Sequence, residues 1–434
     1  MNAITIIILI KHEFVDMLNC VKVKYIMKID IVYIEGDGIG ASINGVPGVS
    51  ELAGRVMEAA VQKAYGDQHS LNWIPGLAGD AARRENFPEL SDEDVATRSE
   101  KDQQEIYLPK KTLDLIESVG LALKGPLTTP VGGGFRSINV ALRQIFDLYA
   151  CIRPVHYIKG IPAPNRNAKN VNMTVFRENV EDVYAGIEFE AGSSISKQVN
   201  SMLGAKLRPD WSYGIGVKPI SEQGSKRLIR KAIQYAIDHK YPSVTLMHKG
   251  NIMKFTEGAF MKWGLEIAKD EFADQVIAES DLHGQTEKII IKDRIADSMF
   301  QQVQLRPEDY GVIATTNLNG DYISDALAAM VGGLGFAPGA NIGEKIAIFE
   351  ATHGTAPKYS GQDKANPGSV ILSGALLLDH VGLGEAAQRI RDAVKNVVKE
   401  SAERASSGSS EQLFVTYDIA RQFEGRTAED GAKA

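Results

Sequence analysis

Short apolar runs alternate with longer amphipathic segments along most of the chain. Apolar runs predict buried strands of about 4 to 6 residues within the segments 29–34, 121–125, 243–250 and 311–316. Apolar positions three and four apart predict amphipathic helices at residues 50–64, 225–239 and 255–272. Strands that alternate with helices indicate an α/β fold in which helices cover the sheets.

A glycine-rich turn follows the first predicted strand. Gly36, Gly38 and Ala41 in "EGDGIGAS" match a loose form of the dinucleotide-binding pattern G-x-G-x-x-A. That pattern requires a helix to begin at once, but "SINGVPGVS" follows, and the next helix is predicted only near Ser50. The segment therefore indicates a tight turn and not a Rossmann fold.

A second glycine-rich stretch, "GPLTTPVGGGFRSINVALRQ", carries more polar groups. A helix that starts near Ser137 would be capped by that serine and would place Asn139 and Arg143 on one face. Arg153 and Arg177 follow, and arginine forks bind carboxylates in a bidentate manner. No lysine follows the glycines as in a phosphate loop. The set predicts a site for a ligand with several carboxylates, the alternative being arginines that pair with surface carboxylates.

Two pairs of aspartates have a spacing of four residues. Asp321 and Asp325 lie on a predicted helix, where like charges at this spacing cost about 0.2–0.5 kcal/mol unless a cation is shared. Asp293 and Asp297 in "IIKDRIADSMFQ" repeat this arrangement as a second pair of the same kind. Oxygen ligands suit Mg²⁺ or Mn²⁺, so the pairs predict a metal site. The alternative is that Asp321 caps its helix and Asp325 complements the helix dipole.

Two side chains are candidates for proton transfer. Lys249 comes just after an apolar strand, where partial desolvation would lower its pKa, and Tyr184 follows an acidic turn in "NVEDVYAGIEF". The alternatives are a solvated loop lysine and an ordinary core or surface tyrosine.

A long polar loop, "FEATHGTAPKYSGQDKANPGS", has the length of functional loops in compact domains. Its residues His353, Gly354 and Thr355 could wrap a nucleotide, and Lys358 and Tyr359 could contact a phosphate. The later segment "VTYDIARQ" offers Tyr417 and Arg421, four positions apart on a predicted helix.

Composition narrows the classes of function. The chain has 48 Lys and Arg against 55 Asp and Glu, a net charge of −7, which argues against broad nucleic-acid binding. Two cysteines, Cys20 and Cys151, indicate a reducing compartment. The apolar run "ITIIILI" is far shorter than the roughly 20 residues that a membrane span needs. We expect a cytoplasmic protein of two or more domains with no nucleic-acid or membrane partner.

The quoted segments together closely resemble the prokaryotic NADP-dependent isocitrate dehydrogenases of the β-decarboxylating dehydrogenase family, over nearly all of residues 29–421. The resemblance implies metal-dependent oxidative decarboxylation of isocitrate to 2-oxoglutarate in the tricarboxylic acid cycle, with NADP and with Mg²⁺ or Mn²⁺. It implies an α/β fold with large and small domains whose helix-covered mixed sheets surround a deep cleft. A small segment next to these two domains would form a clasp between the subunits of a dimer. The family fold is not a Rossmann fold.

The resemblance also assigns roles to residues. Isocitrate would be held by Ser137, Asn139, Arg143, Arg153 and Arg177. Proton transfer would fall to Tyr184 and Lys249, and metal binding to Asp293, Asp321 and Asp325. The NADP contacts would be Thr129, His353, Gly354, Thr355, Ala356, Lys358, Tyr359, Asn366, Tyr417 and Arg421. The implied homodimer shares its active sites, since Lys249 and Asp293 would serve the partner subunit. Some bacterial members are switched off at the serine that matches Ser137, which makes it a candidate for a regulatory kinase.

The expected domain organisation follows the same resemblance. Residues 27–148 and 332–434 would form the large cofactor-binding domain, 149–181 and 222–331 the small domain, and 182–221 the clasp. Residues 1–26 carry no motif and are expected to be a peripheral extension. Three stretches are expected to be surface insertions, the last of them a loop: residues 76–104, 191–212 and 403–412.

The sequence alone is also compatible with other functions. Sister enzymes of the family act on isopropylmalate, homoisocitrate or tartrate, but Ser137 and Asn139 suit a carboxylate arm better than an alkyl arm. A Mg²⁺-dependent phosphoryl-transfer enzyme would explain the glycines and aspartates, but it leaves the arginines unexplained. A non-catalytic binding protein on the same scaffold would have no need of the proton-transfer pair.

Overall fold

The computed structural model describes residues 27–128, 137–208, 210–408 and 410–433. Residues 1–26 and residues 129–136, which include Thr129 and the triple glycine, lie outside the described residues. The predictions made for them therefore stay predictions.

The strands are numbered in chain order. They are β1 (Met27–Ile34), β2 (His69–Pro75), β3 (Leu121–Lys124), β4 (Ala150–His156), β5 (Asn172–Glu178), β6 (Glu188–Phe189), β7 (Ile215–Gly216), β8 (Ser243–His248), β9 (Val276–Ala278), β10 (Ile289–Ile295), β11 (Val312–Thr315), β12 (Pro338–Ile342) and β13 (Ala347–Ala351).

The α-helices are numbered in the same way. They are α1 (Val49–Tyr65), α2 (Asp80–Asn86), α3 (Asp92–Ala96), α4 (Glu100–Tyr107), α5 (Lys110–Val119), α6 (Ile138–Ile145), α7 (Ser194–Leu203), α8 (Glu222–Asp238), α9 (Glu257–Phe272), α10 (Ala296–Leu305), α11 (Asn317–Met330), α12 (Gly368–His380), α13 (Gly384–Ser406) and α14 (Tyr417–Ala420). In the part of the chain that the structure describes, no helix is long and apolar enough to cross a bilayer.

Eleven strands form one mixed sheet in the order β2-β1-β3-β13-β12-β4-β5-β11-β8-β10-β9. The strand β12 is antiparallel to both neighbours, β4 is antiparallel to β5, and the remaining pairs are parallel. The strands expected in the large domain form one end of the sheet and those expected in the small domain form the other. The two ends meet where β12 pairs with β4. The predicted α/β class is confirmed, and the domain boundaries stay a prediction.

The apolar pattern explains these elements. All six residues of β8 and all four of β11 are buried, as expected for parallel strands covered on both faces. On α8 the buried positions Leu228, Ile229, Ala232 and Ile233 recur at helical spacing and pack against this half of the sheet. The turn after β1 is a single 3₁₀ turn at Gly38–Gly40, and α1 begins only at Val49, as predicted.

The structure differs from the prediction at one expected insertion and shows the secondary structure of another. Residues 403–406 continue helix α13, so the expectation of a loop is wrong for them. The last turn of the helix is held in place because Ser401 is fully buried and Arg404 stacks on the ring of Phe414. The stretch 76–104 contains short helices, because Ser91 and Ser99 each cap a helix start with the side-chain oxygen.

A candidate active site of buried arginines and carboxylates

Helix α6 positions the first candidate side chains. Ser137 occupies its N-cap position, but its hydroxyl makes no cap hydrogen bond, so the predicted capping role is wrong. Asn139 and Arg143 lie one turn apart, and Oδ1 of Asn139 is buried with no hydrogen-bond partner among the described residues. A buried polar atom of this kind needs a partner, so the helix offers unused polar groups beside Arg143.

Arg143 is held by a buried carboxylate that comes from another part of the chain. Its Nη2 donates to Oε1 of Glu350 on β13 at 3.2 Å, and Nζ of Lys124 lies 2.6 Å from Oε2 of the same glutamate. Asn341 on β12 also donates to Oε1, at 2.7 Å. Burial alone would raise the pKa of Glu350, but Lys124 and Arg143 lower it well below its ordinary value. The carboxylate therefore stays ionised and orients Arg143.

Arg177, at the end of β5, is almost completely buried and joins two groups on α11. Its Nε donates to Oδ1 of Asn317 at 2.8 Å, and its Nη1 makes a short contact with Oδ1 of Asp321. Burial would raise the pKa of Asp321, but Arg177 and the hydroxyl of Tyr184 lower it. The aspartate is thus kept as an anion.

Tyr184 lies against this pair. Its hydroxyl donates to Oδ2 of Asp321 at 2.6 Å, and the guanidinium carbon of Arg177 lies 4.9 Å from the ring centre. The backbone carbonyl of Tyr184 accepts from the side chain of Gln144 on α6, at 3.2 Å. Burial and the hydrogen bond to Asp321 raise the pKa of Tyr184 to about 12. The phenol therefore keeps its proton at neutral pH and can act as an acid.

Arg153 on β4 completes the arginine group. Its Nη1 donates to Oγ of Ser324 at 2.8 Å and to Oδ1 of Asp325 at 3.2 Å. Asp321 and Asp325 lie one turn apart on α11, as predicted, so each aspartate faces a different arginine of the site.

Each of the three guanidinium groups retains an uncommitted donor. Nε of Arg143, Nε of Arg153 and Nη2 of Arg177 are buried and have no hydrogen-bond partner among the described residues. Burial, followed by the repulsion of Arg143 and Arg153, lowers the pKa of Arg177. Three cations held together with unused donors form a site that favours a ligand with several negative charges.

The predicted metal ligands are only partly brought together. No group of three or more His, Cys, Asp or Glu side chains converges in the described ranges, so Asp293 does not join Asp321 and Asp325 within one chain. The interpretation of Asp293 and Asp297 as a second helical pair is wrong, because Asp293 lies on β10 and Asp297 on α10. Asp293 instead lies 3.6 Å from Nε2 of His248.

Lys249 follows β8 directly, as predicted. Its ammonium contacts Oδ1 of Asp297, and its backbone N–H donates to Oε2 of the fully buried Glu257 at 2.7 Å. The lysine side chain is 32% exposed, whereas that of Asp297 is 72% exposed. Lys249 therefore has a fixed backbone and a side chain that can reach outward.

Six of the ten predicted nucleotide contacts line one pocket of about 210 Å³, whereas Thr355, Lys358 and Arg421 are not part of its lining and Thr129 lies outside the described residues. Its lining includes His353, Gly354, Ala356, Tyr359, Asn366 and Tyr417. Burial lowers the pKa of His353, and its Nε2 has no hydrogen-bond partner among the described residues. Asn366 donates to Oδ2 of Asp418 at 3.0 Å. A neutral imidazole and an amide at a concave surface suit the recognition of a heterocyclic base.

Two exposed cations flank the tyrosines of this pocket. The ammonium of Lys358 lies 4.7 Å from the ring centre of Tyr359, and the guanidinium carbon of Arg421 lies 5.8 Å from that of Tyr417. The two rings are 5.2 Å apart. The hydrogen bond with Tyr417, together with Lys358, lowers the pKa of Tyr359, while burial and Tyr359 raise that of Tyr417 to about 12. The surroundings of this ring pair are positive.

Sequence patterns missed several residues of both regions. They are Lys124, Glu350, Asn341, Ser324 and Asn317 in the arginine cluster, and Ile39, Gly335, Ala365 and Asp418 in the pocket. Lys124 and Glu350 carried a usable signal, since each is a charge in an otherwise apolar strand. The others carry none.

Known proteins resemble this chain over most of its length. Residues 30–422 match the family model described as isocitrate/isopropylmalate dehydrogenase. An isocitrate dehydrogenase [NADP] of Pseudomonas aeruginosa is 48% identical over 407 residues, which is 92% of this chain and 89% of that protein. One from Helicobacter pylori is 49% identical over 409 residues, with 91% and 89% coverage. The crystal structure of isocitrate dehydrogenase from Methylococcus capsulatus superposes with a TM-score of 0.69 at 35% identity, covering 93% of this chain and 97% of that one.

Proposed function

The chain belongs to the isocitrate/isopropylmalate dehydrogenase family, and we propose that it converts isocitrate to 2-oxoglutarate and CO₂ with reduction of NADP⁺. Its relatives from Pseudomonas aeruginosa and Helicobacter pylori bear the name of that activity. We place the reaction in the cytoplasm, as a step of the tricarboxylic acid cycle.

The observation that carries the proposal is the arginine cluster. Arg143, Arg153 and Arg177 each keep a buried nitrogen that has no partner among the described residues. Isocitrate has three carboxylates, which are the acceptors that such donors bind most strongly. Ser137 and Asn139 add polar groups where an alkyl-bearing substrate would need apolar contacts.

Proton transfer is assigned to Tyr184 and Lys249. The phenol of Tyr184 holds its proton, and Asp321 orients it through a 2.6 Å hydrogen bond. As the hydride leaves the substrate, Lys249 in its neutral amine form would take the proton of the hydroxyl. After loss of CO₂, Tyr184 would protonate the product carbon. When bound, NADP⁺ supplies the acceptor for the hydride that leaves the substrate.

We propose that Asp321 and Asp325 hold a divalent cation. The two carboxylates lie one turn apart beside the arginines, and the side chain of Asp325 is 53% exposed, which suits entry of an ion. Such a cation would polarise the substrate oxygens as a Lewis acid. Each of the variants Asp321→Asn and Asp325→Asn should raise the Mg²⁺ concentration needed for half-maximal activity, while Asp392→Asn on helix α13 serves as a surface control. Full activity of the parent protein in excess chelator would contradict this assignment.

We propose a homodimer with shared sites, in which Asp293 and Lys249 serve the partner subunit. The separation of Asp293 from Asp321 and Asp325 within one chain supports this arrangement. Mixing inactive Lys249→Met chains with inactive Arg143→Ala chains should restore part of the activity through hybrid dimers. If hybrids form and no activity returns, each site is built from one chain.

The activity itself is tested by a spectrophotometric assay of NADPH formation with isocitrate and Mg²⁺. Isopropylmalate, homoisocitrate and tartrate serve as competing substrates, and NAD⁺ as the competing cofactor. We expect isocitrate with NADP⁺ to give the highest kcat/KM. A higher value with isopropylmalate would assign the chain to a sister activity.

A further inference from the structure

One partly buried ammonium lies between two carboxylates that do not take part in binding or proton transfer. Nζ of Lys218 is 2.5 Å from Oδ1 of Asp182 and 2.9 Å from Oε1 of Glu257. The carboxylates are 1% and 0% exposed, and the lysine side chain is 16% exposed. Burying two carboxylates is costly unless a cation compensates them, and Lys218 supplies that cation to both Asp182 and Glu257.

Asp182 fixes the turn that carries Tyr184. Its side chain accepts from the backbone N–H of Val183 at 2.7 Å and from that of Leu318 on α11 at 3.0 Å. Its own backbone has a φ of 71°, a value that costs free energy for a residue other than glycine. This conformation is kept by its contacts, which tie the turn before Tyr184 to the start of the helix that carries Asp321.

Glu257 fixes Lys249 and the same helix from the other side. It accepts from the backbone N–H of Lys249 at 2.7 Å, from the hydroxyl of Thr316 at 2.8 Å and from the side chain of Asn319 at 2.8 Å. The end of β8 and the start of α11 are thus joined at one carboxylate.

We propose that Lys218 is a positioning residue. By bridging Asp182 and Glu257, it holds Tyr184 and Lys249 at the positions that proton transfer requires. The proposal rests on the function proposed above. If Lys249 serves the partner's site, this single ammonium lies between the proton-transfer residues of two active sites. Lys218 also belongs to the segment 182–221 expected to form the dimer clasp, so the bridge would couple that segment to catalysis.

The test compares Lys218→Met with Lys226→Met. Lys226 is a matched control, since it also contacts two carboxylates, those of Glu222 and Glu266, but at the surface. Small misplacements of reacting groups cost about 10²-fold in rate. We expect Lys218→Met to lower kcat by about that factor with KM for isocitrate nearly unchanged. Lys218→Arg should retain much more activity, because a guanidinium can bridge two carboxylates. Parental kcat in Lys218→Met would overturn the proposal.

If Lys218→Met does not fold, a less disruptive substitution tests the same proposal. Thr316→Val removes the hydroxyl that donates to Glu257 and accepts from Asn319, and it keeps the side-chain shape. It should lower kcat and leave KM unchanged. An unchanged kcat would overturn the proposal.

A crystal structure of Lys218→Met tests the positioning role even if the proposed enzymatic activity is wrong. If the unmodified protein forms no NADPH from isocitrate, the proposed function fails on its own. The structure of Lys218→Met then decides the positioning role. Displacement of Tyr184 and of the Lys249 backbone relative to the unmodified protein supports it, and unchanged positions contradict it.

Discussion

The arginine cluster and the nucleotide pocket both gather charge, but they do so in opposite ways. In the cluster, Arg177 is 1% exposed and Glu350 is 8% exposed, and each charge is held by protein groups. At the rim of the pocket, Lys358 and Arg421 are exposed and lie beside tyrosine rings. The buried cluster is arranged before any ligand arrives, whereas the exposed cations are free to adjust to one.

This difference sets the expected cost of mutation. Breaking a buried ion pair costs about 3–5 kcal/mol, because the remaining partner is left without compensation. An exposed pair contributes at most about 1 kcal/mol, since water and salt screen it. Substitutions in the cluster should therefore damage activity more than substitutions at the rim of the pocket.

The largest effect is expected for Arg177→Met. It leaves Asp321 without its buried partner and removes a donor to the substrate, so kcat/KM for isocitrate should fall by about 10³-fold or more. Arg230→Met, which breaks the exposed pair with Glu271, should leave kcat/KM near the parental value. A parental kcat/KM in a folded Arg177→Met protein would remove the cluster from the substrate site.

A smaller but still large effect is expected for Ser137→Asp. The hydroxyl of Ser137 is not used in helix capping, and the substitution would place a negative charge where we propose that a substrate carboxylate binds. Like charges brought together cost several kcal/mol, so KM for isocitrate should rise by about 10²-fold. Thermal unfolding should be unchanged. Near-normal KM would show that Ser137 lies away from the substrate.

An effect of about the same size, but confined to the choice of cofactor, is expected at the pocket. The double variant Lys358→Ala, Arg421→Ala should reduce the preference for NADP⁺ over NAD⁺ by about 10²-fold, from two charge-assisted hydrogen bonds to the 2′-phosphate. The loss should appear mainly in KM for NADP⁺, because the phosphate is bound alike in the ground and transition states. Equal use of NADP⁺ and NAD⁺ by the unmodified protein would contradict the assignment of these cations.

Local patterns predicted the parts of the molecule that depend on nearby residues. Helical spacing placed Asp321 and Asp325 on one helix, and the strand before Lys249 ended where expected. The same reasoning was wrong for Asp293 and Asp297, since spacing alone does not tell a strand end from a helix.

Contacts between residues far apart in the sequence could not be predicted from local patterns. Glu350 meets Arg143 and Lys124 only because β13 lies beside β3 in the sheet, and Lys218 meets Glu257 across 39 positions of sequence. Partners of this kind depend on strand order and domain packing, which no local pattern contains. The resemblance to a known family supplied roles for single residues, but not the buried partners that hold them.

The most direct test of the account is a crystal structure of the protein with isocitrate, Mg²⁺ and NADP⁺. We predict that the substrate carboxylates contact Arg143, Arg153 and Arg177, that the ion lies on Asp321 and Asp325, and that the adenosine end of the cofactor occupies the pocket beside His353 and Tyr417. Isocitrate bound away from the three arginines, with their buried nitrogens still without partners, would contradict the account.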